Sequence, residues 1–331
     1  MDCRVKPGND ERRIRILWRC IERLTFAADI WQVPGMKAAL LPDRGVVKVA
    51  GDDSGKFLNG LVTVDMGKVT PAQAAFGALL TPQGKIIVDF ILAAAEPADG
   101  GGFFLDCPRA LAPELPERLN FYKLRAKVTV ADLSASLGVL AIWDNAGSTE
   151  QGLCYRDPRL AELGMRCILP PASATDIMAD LGAELIDAAE YEAHRIALGV
   201  PRGGTDFIYG DAFPHETDMD QLNGVDFEKG CFIGQEVVSR IEHRGIARTR
   251  VVPVSFHGPP PDPGELVMAG QKNVGVMGSG VIGRGLAAMR LDRVEDAITS
   301  ATPLVAGGIT LRLVKPQWAR FAFPGDSKAA E

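Results

Sequence analysis

Residues Phe227–Gly245 read FEKGCFIGQEVVSRIEHRG. The stretch changes character halfway. Up to Gly234 it is punctuated by glycine and has no period. From Gln235 to Glu242 the apolar residues Val237, Val238 and Ile241 fall on one helical face. Cys231 therefore stands just ahead of a predicted helix start, two residues after Lys229. A helix N-terminus and a nearby ammonium both favour a thiolate. Gly230 and Gly234 flank the cysteine and permit a tight loop with close backbone approach. Gln235 offers an amide, and Glu236 and Arg240 stand at i, i+4 and can pair. A plainer reading of the same residues stays open beside this one: a buried thiol, turn glycines and a surface ion pair. Free cysteine is among the most buried residue types.

Downstream of this stretch the texture is β. Val251–Phe256 reads as a strand. After a proline-rich turn, short strands separated by glycine follow: Glu265–Met268, Asn273–Met277, Leu286–Arg290 and Ile309–Val314. That spacing predicts a small antiparallel barrel or sandwich. Gly278–Gly283, GSGVIG, matches the dinucleotide fingerprint letter for letter. It lacks the β-α-β setting that lets backbone N–H groups meet a pyrophosphate, so turn glycines explain it better. Upstream, Ala74–Leu80, the turn Thr81–Gly84 and Lys85–Leu92 read as a hairpin, Ser54–Leu61 as a short helix, and Asp187–Leu198 as a helix stopped by Gly199. Residues 203–230 read as a long loop.

The chain has 331 residues, a net charge of −6 and 47% hydrophobic residues. This is a globular composition with material for two or three domains. A global basic field for nucleic acid is absent, and no apolar run approaches the roughly 18 residues of a membrane span. Cys3, Cys20, Cys107, Cys154, Cys167 and Cys231 form no Cys-x-x-Cys and no zinc spacing. The expectation is six free thiols in a reducing cytosol, with no metal-ligating set. Residues 1–35 are arginine-rich and unlike the rest, and Met36 resembles an ordinary start. They are expected to be an extension outside the fold.

The run Lys229–Arg240, KGCFIGQEVVSR, closely resembles the motif of the YgfZ-type folate-binding proteins, within the superfamily of the glycine-cleavage T-protein, an aminomethyltransferase. Phe57–Asp65 (FLNGLVTVD), Leu80–Lys85 (LTPQGK), Tyr122–Val128 (YKLRAKV) and Arg195–Pro201 (RIALGVP) agree in the same order. The resemblance implies an α+β fold: a T-protein-like ring of two interwoven α+β domains over 36–247 and a small C-terminal antiparallel β-barrel over 248–318; residues 319–331 are expected to be a tail outside it. The resemblance implies a tetrahydrofolate or other folate ligand, a role in iron–sulfur cluster assembly or repair, and iron–sulfur client or assembly partners including tRNA-modifying enzymes; composition and cysteine usage add the expectation of a cytoplasmic location with no direct nucleic-acid or membrane contact. Cys231 and Asp89 are the implied reactive residues. Tyr122, Arg125 on its strand, Glu192, Arg195 and Phe207 are candidate folate contacts, since a folate needs a polar group for the pterin, aromatic walls and a cation for its glutamate. An aminomethyltransferase and a scaffold that has lost its ligand are the alternatives. The T-protein's paired Asp-Asp is here Val88-Asp89, which keeps one carboxylate for proton management.

Overall fold

The computed structural model describes residues 35–97, 100–144, 153–245 and 247–326. The expectation for residues 1–35 falls, apart from Gly35, outside the described residues. Two short strands set the topology. β1 (Lys37–Leu40) and β2 (Arg44–Ala50) are separated by a brief turn, yet they enter different sheets. The chain continues through α1 (Ser54–Asn59), β3 (Ala75–Leu80), β4 (Ile86–Ala94), β5 (Phe103–Pro108), α2 (Leu115–Tyr122) and β6 (Thr129–Asp132). These strands join β2 in an antiparallel sheet of order β3-β4-β5-β2-β6. Pro116 sits in the first turn of α2, where its missing N–H costs nothing, so it starts this helix rather than interrupting it.

The chain then returns to β1. β7 (Gly138–Trp143), β8 (Leu153–Arg156), β9 (Met165–Leu169), α3 (Ala174–Leu181) and β10 (Glu184–Leu185) complete a second sheet of order β10-β1-β7-β9-β8. The loan of β1 interweaves the two units, as the α+β expectation requires. Their inner faces pack together: Ala39, Ala141, Trp143 and Ile168 of one sheet share a core with Val46, Phe76, Ile91 and Phe104 of the other. The outer faces are covered by α1 and α2 on one side and by α3 on the other.

α4 (Ala188–Leu198) begins at Asp187, whose carboxylate accepts from the Ala189 N–H at 2.8 Å, and ends at Gly199 in the left-handed region. α5 (Gln235–Arg244) leads into the barrel. β11 (Thr249–Ser255), β12 (Leu266–Ala269), β13 (Lys272–Val281), β14 (Arg284–Arg290), α6 (Leu291–Thr299), β15 (Leu304–Ala306) and β16 (Ile309–Leu313) follow. The barrel closes in the order β11-β14-β13-β12-β15-β16. Gly278–Gly283 lies in β13 and the turn to β14. A side chain at Gly278 would run into Asp206, and one at Gly280 would lie 2.5 Å from Pro260. Packing against other segments, not phosphate binding, accounts for those glycines.

Two expectations are corrected. The segment from Ala319 to Asp326 is not a free tail: Phe323 enters the barrel core, Lys315 pairs with Asp326 at 2.5 Å, and the Gly325 N–H donates to Glu295 at 2.9 Å. Nor are all the thiols free. Cys154 and Cys167 form a disulfide because they face each other directly across the antiparallel β8–β9 pair, with Cα atoms 4.0 Å apart. Strand register makes this pair, and register is invisible in a count of spacings. Cys107 is a buried thiol, pushed up to about 12 mainly by burial.

Candidate functional site

Alternation along a strand sends residues i and i+2 to one face. Asp89 of β4, Asp106 of β5 and Arg166 of β9 each share the inner face with core residues Ile91, Phe104 and Ile168. Charges in a sandwich core survive only when paired. Arg44 donates to Asp106 at 2.6 Å, and Arg166 donates to Asp106 at 2.7 Å and to Asp157 at 2.9 Å. Arg159 grips Asp157 through two donors at 2.9 and 2.7 Å. Burial alone would raise both carboxyls. The guanidiniums of Arg44 and Arg166 at Asp106, and of Arg159 and Arg166 at Asp157, outweigh it and hold both below the usual carboxylate range.

This network forms the floor of a cavity of about 240 Å³, lined among others by Arg44, Asp89, Arg166, Tyr191, Glu192 and Arg202. The Tyr209 hydroxyl donates to Oδ1 of Asp89. Burial and the neighbouring Asp89 charge push the phenol far up, so it keeps its proton and its role as donor. Opposite, α4 presents Tyr191, Glu192 and Arg195. Arg195 reaches both Glu192 oxygens at 2.9 and 2.6 Å, Asp206 at 2.9 Å, the Val200 carbonyl, and Ser279 of the barrel at 2.8 Å. Burial would lift the Glu192 carboxyl, but Arg195 and then Arg202 bring it below the usual range. Arg195 thus holds the wall in place. Arg202, 34% exposed and making long contacts of 3.3 Å to Glu192 and 3.4 Å to Asp43 and to the Thr205 hydroxyl, is the loosely held cation at the mouth.

The second locus is Cys231, which is exposed. It lies four residues before α5, whose N-cap is Gly234, so it does not sit on the helix terminus itself. The Lys229 ammonium does not serve the thiol as expected. It turns inward and donates to the carbonyls of Asn59 at 2.7 Å and Val62 at 2.6 Å, and burial pushes it down to about 8. Three segments singled out in the sequence converge here. Thr63 donates to the Gly224 carbonyl at 2.6 Å and accepts from Ala78 of β3 at 2.9 Å. Gly234, at φ +81°, packs on the Thr81–Gly84 turn so closely that a Cβ would lie 2.6 Å from the Thr81 carbonyl oxygen. Gly84 reciprocates against Val237. Around Gly230 there is open space, and its φ lies outside the left-handed region. Gln235 opens α5, and Glu236 and Arg240 form an exposed pair at 2.5 Å.

Of the expected site residues, the cavity gathers the reactive candidate Asp89 and the folate candidates Glu192 and Arg195, and Phe207 packs edge-on against Tyr209 at 5.3 Å. Tyr122 lies elsewhere, in a groove with Ile87, Arg118 and Phe121. Arg125 is exposed on a turn after α2 rather than on a strand, because β6 begins only at Thr129. The sequence reading missed Arg44, Asp106, Asp157, Arg159, Arg166, Arg202 and Tyr209. A single charge inside an apolar strand, as in Phe103–Pro108 and Met165–Leu169, was the available pointer.

Residues 248–321 match the family described as CAF17, C-terminal beta-barrel domain. Among solved structures, the glycine cleavage system aminomethyltransferase T of Bartonella henselae aligns over 87% of both chains with a TM-score of 0.68 at 17% identity, a likeness of fold. The fold is therefore T-protein-like and carries a CAF17-type barrel. The mitochondrial iron-sulfur cluster assembly factor IBA57 of Homo sapiens is 32% identical over 284 residues, 78% of each chain, and that of Mus musculus is 32% identical over 308 residues, 84% of each. The IBA57 homolog of Mycosarcoma maydis is 35% identical over 240 residues, spanning 68% of this chain and 59% of that relative, less than two thirds of its length. The chain belongs to the IBA57 family of iron–sulfur cluster assembly factors. The expectation of a cytoplasmic location is overturned by these comparisons, since the relatives are named as mitochondrial proteins. Among the described residues no helix is long and apolar enough to cross a membrane.

Proposed function

We propose that this chain assembles or repairs iron–sulfur clusters in client proteins while binding a reduced folate, in the manner of the YgfZ-type proteins it resembles. The clients include radical enzymes that modify tRNA. The observation that carries the folate reading is Asp89: a carboxylate inside a cavity, with one oxygen taken by Tyr209 and the other given no hydrogen bond among the described residues. The donor set fits the ligand. A carboxylate accepts from the amino and ring N–H groups of a pterin, Tyr191 supplies an aromatic surface, and Arg202 at the mouth suits the glutamate carboxylates. The volume of about 240 Å³ is below the roughly 300–1,000 Å³ of sites that enclose a drug-sized ligand, so only the bicyclic head fits inside.

The cluster reading rests on Cys231. One thiolate cannot hold a cluster that usually takes four, so an exposed cysteine here acts together with ligands from elsewhere while the cluster passes as cargo. The experiment is a titration of the full chain with tetrahydrofolate, in wild type, Asp89→Ala and Cys231→Ala. Wild type and Cys231→Ala should bind equally, with Asp89→Ala at least tenfold weaker. In cells lacking the native factor, Cys231→Ala should fail to restore iron–sulfur enzyme activity. No folate binding, or binding indifferent to Asp89, rejects the folate half; full rescue by Cys231→Ala rejects the thiol half.

A further inference from the structure

Away from both loci, His215, Asp220 and Glu242 place three ligand atoms within 4.8 Å of one another, the one such group of three or more metal-ligating side chains among the described residues. They come from separate segments: a 3-10 turn (Pro214–Thr217), the loop after it, and the C-terminal end of α5. His215 is 2% exposed, and its Nε2 lies 2.9 Å from the Glu242 carboxylate. Its Nδ1 has no partner. Asp218, fully buried beside it, gives Oδ1 to Arg250 at 3.0 Å and leaves Oδ2 without one. These are the two buried side-chain polar atoms among the described residues that lack a hydrogen bond. Buried polar atoms are rarely left so, and each such exception needs an explanation. One exception belongs to His215, a member of the three clustered ligands, and the other to Asp218, three residues further along the same segment.

We infer that this cluster is a binding site for one first-row divalent transition-metal ion. Both orphaned atoms carry lone pairs, which a cation consumes. The charges agree: the carboxylates of Asp220 and Glu242 face one guanidinium, that of Arg250, which bonds Asp220 at 2.8 and 2.9 Å. A carboxylate oxygen has two lone pairs, so Asp220 can serve Arg250 and an ion together. One imidazole with two carboxylates suits zinc, manganese or iron better than magnesium or calcium, which prefer oxygen alone. Glu242, 44% exposed, is free to adjust. His215 also lines a cavity of about 290 Å³ with Phe213, Ile241 and Thr249, with exposed Arg248 at its rim and Arg290 held by Asp292 at 2.7 Å, which gives the ion a way in. Through Arg250 of β11 a bound ion would tie α5 to the barrel.

The test is calorimetric titration of untagged full-length protein with Zn²⁺ and with Mn²⁺, in a Cys231→Ser background so that the exposed thiol does not compete. One ion per chain should bind, and the melting temperature should rise with it. Glu242→Gln and His215→Gln should each weaken binding at least tenfold. Glu242 is half-exposed at a helix end, so Glu242→Gln should fold and should melt like its parent without metal. Absence of saturable binding would mean that a buried water takes the lone pairs. Unchanged affinity in Glu242→Gln would mean an adventitious ion only. Either result overturns the site.

Discussion

The cavity between the sheets and the Cys231 loop are built on opposite plans. The cavity is lined by five arginines, three of them buried and Arg44 12% exposed, all four set against carboxylates that in turn serve two donors or more, and the barrel reaches in through Ser279 to fix Arg195. The loop around Cys231 is held from beneath, by Lys229, Thr63, the buried Phe232 and the Gly84–Gly234 contact, and its thiol is exposed. One region is stiff and closed, which suits recognition of a small polar ligand. The other is a fixed base with a bare tip, which suits a passing partner. The difference teaches where stability and where exposure were placed, and each half of it can be broken separately.

The largest effect is expected in the cavity floor. Asp106→Asn leaves the largely buried Arg44 without its counter-charge and the buried Arg166 with Asp157 alone. Removing one member of a buried pair costs about 3–5 kcal/mol, to be read by chemical denaturation. The same carboxylates set an acid limit. Asp106 and Asp157 are held below the usual range in the folded chain, so the unfolded chain binds their protons first as pH falls. Their contribution is complete above about pH 4 and is lost as pH drops through the lower folded values. Wild type should therefore lose stability steeply below about pH 4, and Asp106→Asn should show a shallower slope there. Parallel pH profiles would remove this network as the cause.

A smaller effect separates the two glycines of the loop. Gly234→Ala puts a Cβ at φ +81° and 2.6 Å from the Thr81 carbonyl oxygen. The left-handed conformation alone costs about 1–2 kcal/mol for a residue with a Cβ, so a loss of about 2 kcal/mol or more is expected. Gly230→Ala meets open space and should change stability by less than about 0.5 kcal/mol. If the two variants melt alike, the base of the loop is not packed on the hairpin turn as described.

Periodicity and turn chemistry made much of this architecture legible in the sequence. Pro82 and Gly84 announced the hairpin, Gly199 the end of α4, and the glycine-spaced strands the barrel. The motif at Lys229–Arg240 located the loop, but not the direction of Lys229, because a lysine's reach of several rotatable bonds leaves sequence neighbours free to point apart. The cavity was half legible. Asp89, Glu192 and Arg195 were found, while Arg44, Asp106, Asp157 and Arg166 meet only after β1 has crossed to the other sheet. The Cys154–Cys167 bond and the His215 cluster depend likewise on register and on loop closure, which no local pattern encodes.

The smallest effect concerns the exposed pair within the motif itself. Glu236 and Arg240 lie 2.5 Å apart with side chains 84% and 53% exposed. Such i, i+4 pairs are worth about 0.2–0.5 kcal/mol and fade with salt. A double-mutant cycle of Glu236→Gln and Arg240→Gln should therefore give a coupling of at most about 0.5 kcal/mol, vanishing near 1 M salt, where the screening length is about 3 Å. Stability then gives no reason to keep both charges beside Cys231. If either variant folds and melts normally yet fails to restore iron–sulfur enzyme activity, the pair belongs to the surface that meets the partner. If both restore it fully, the functional tip shrinks to the thiol and its flanking glycine.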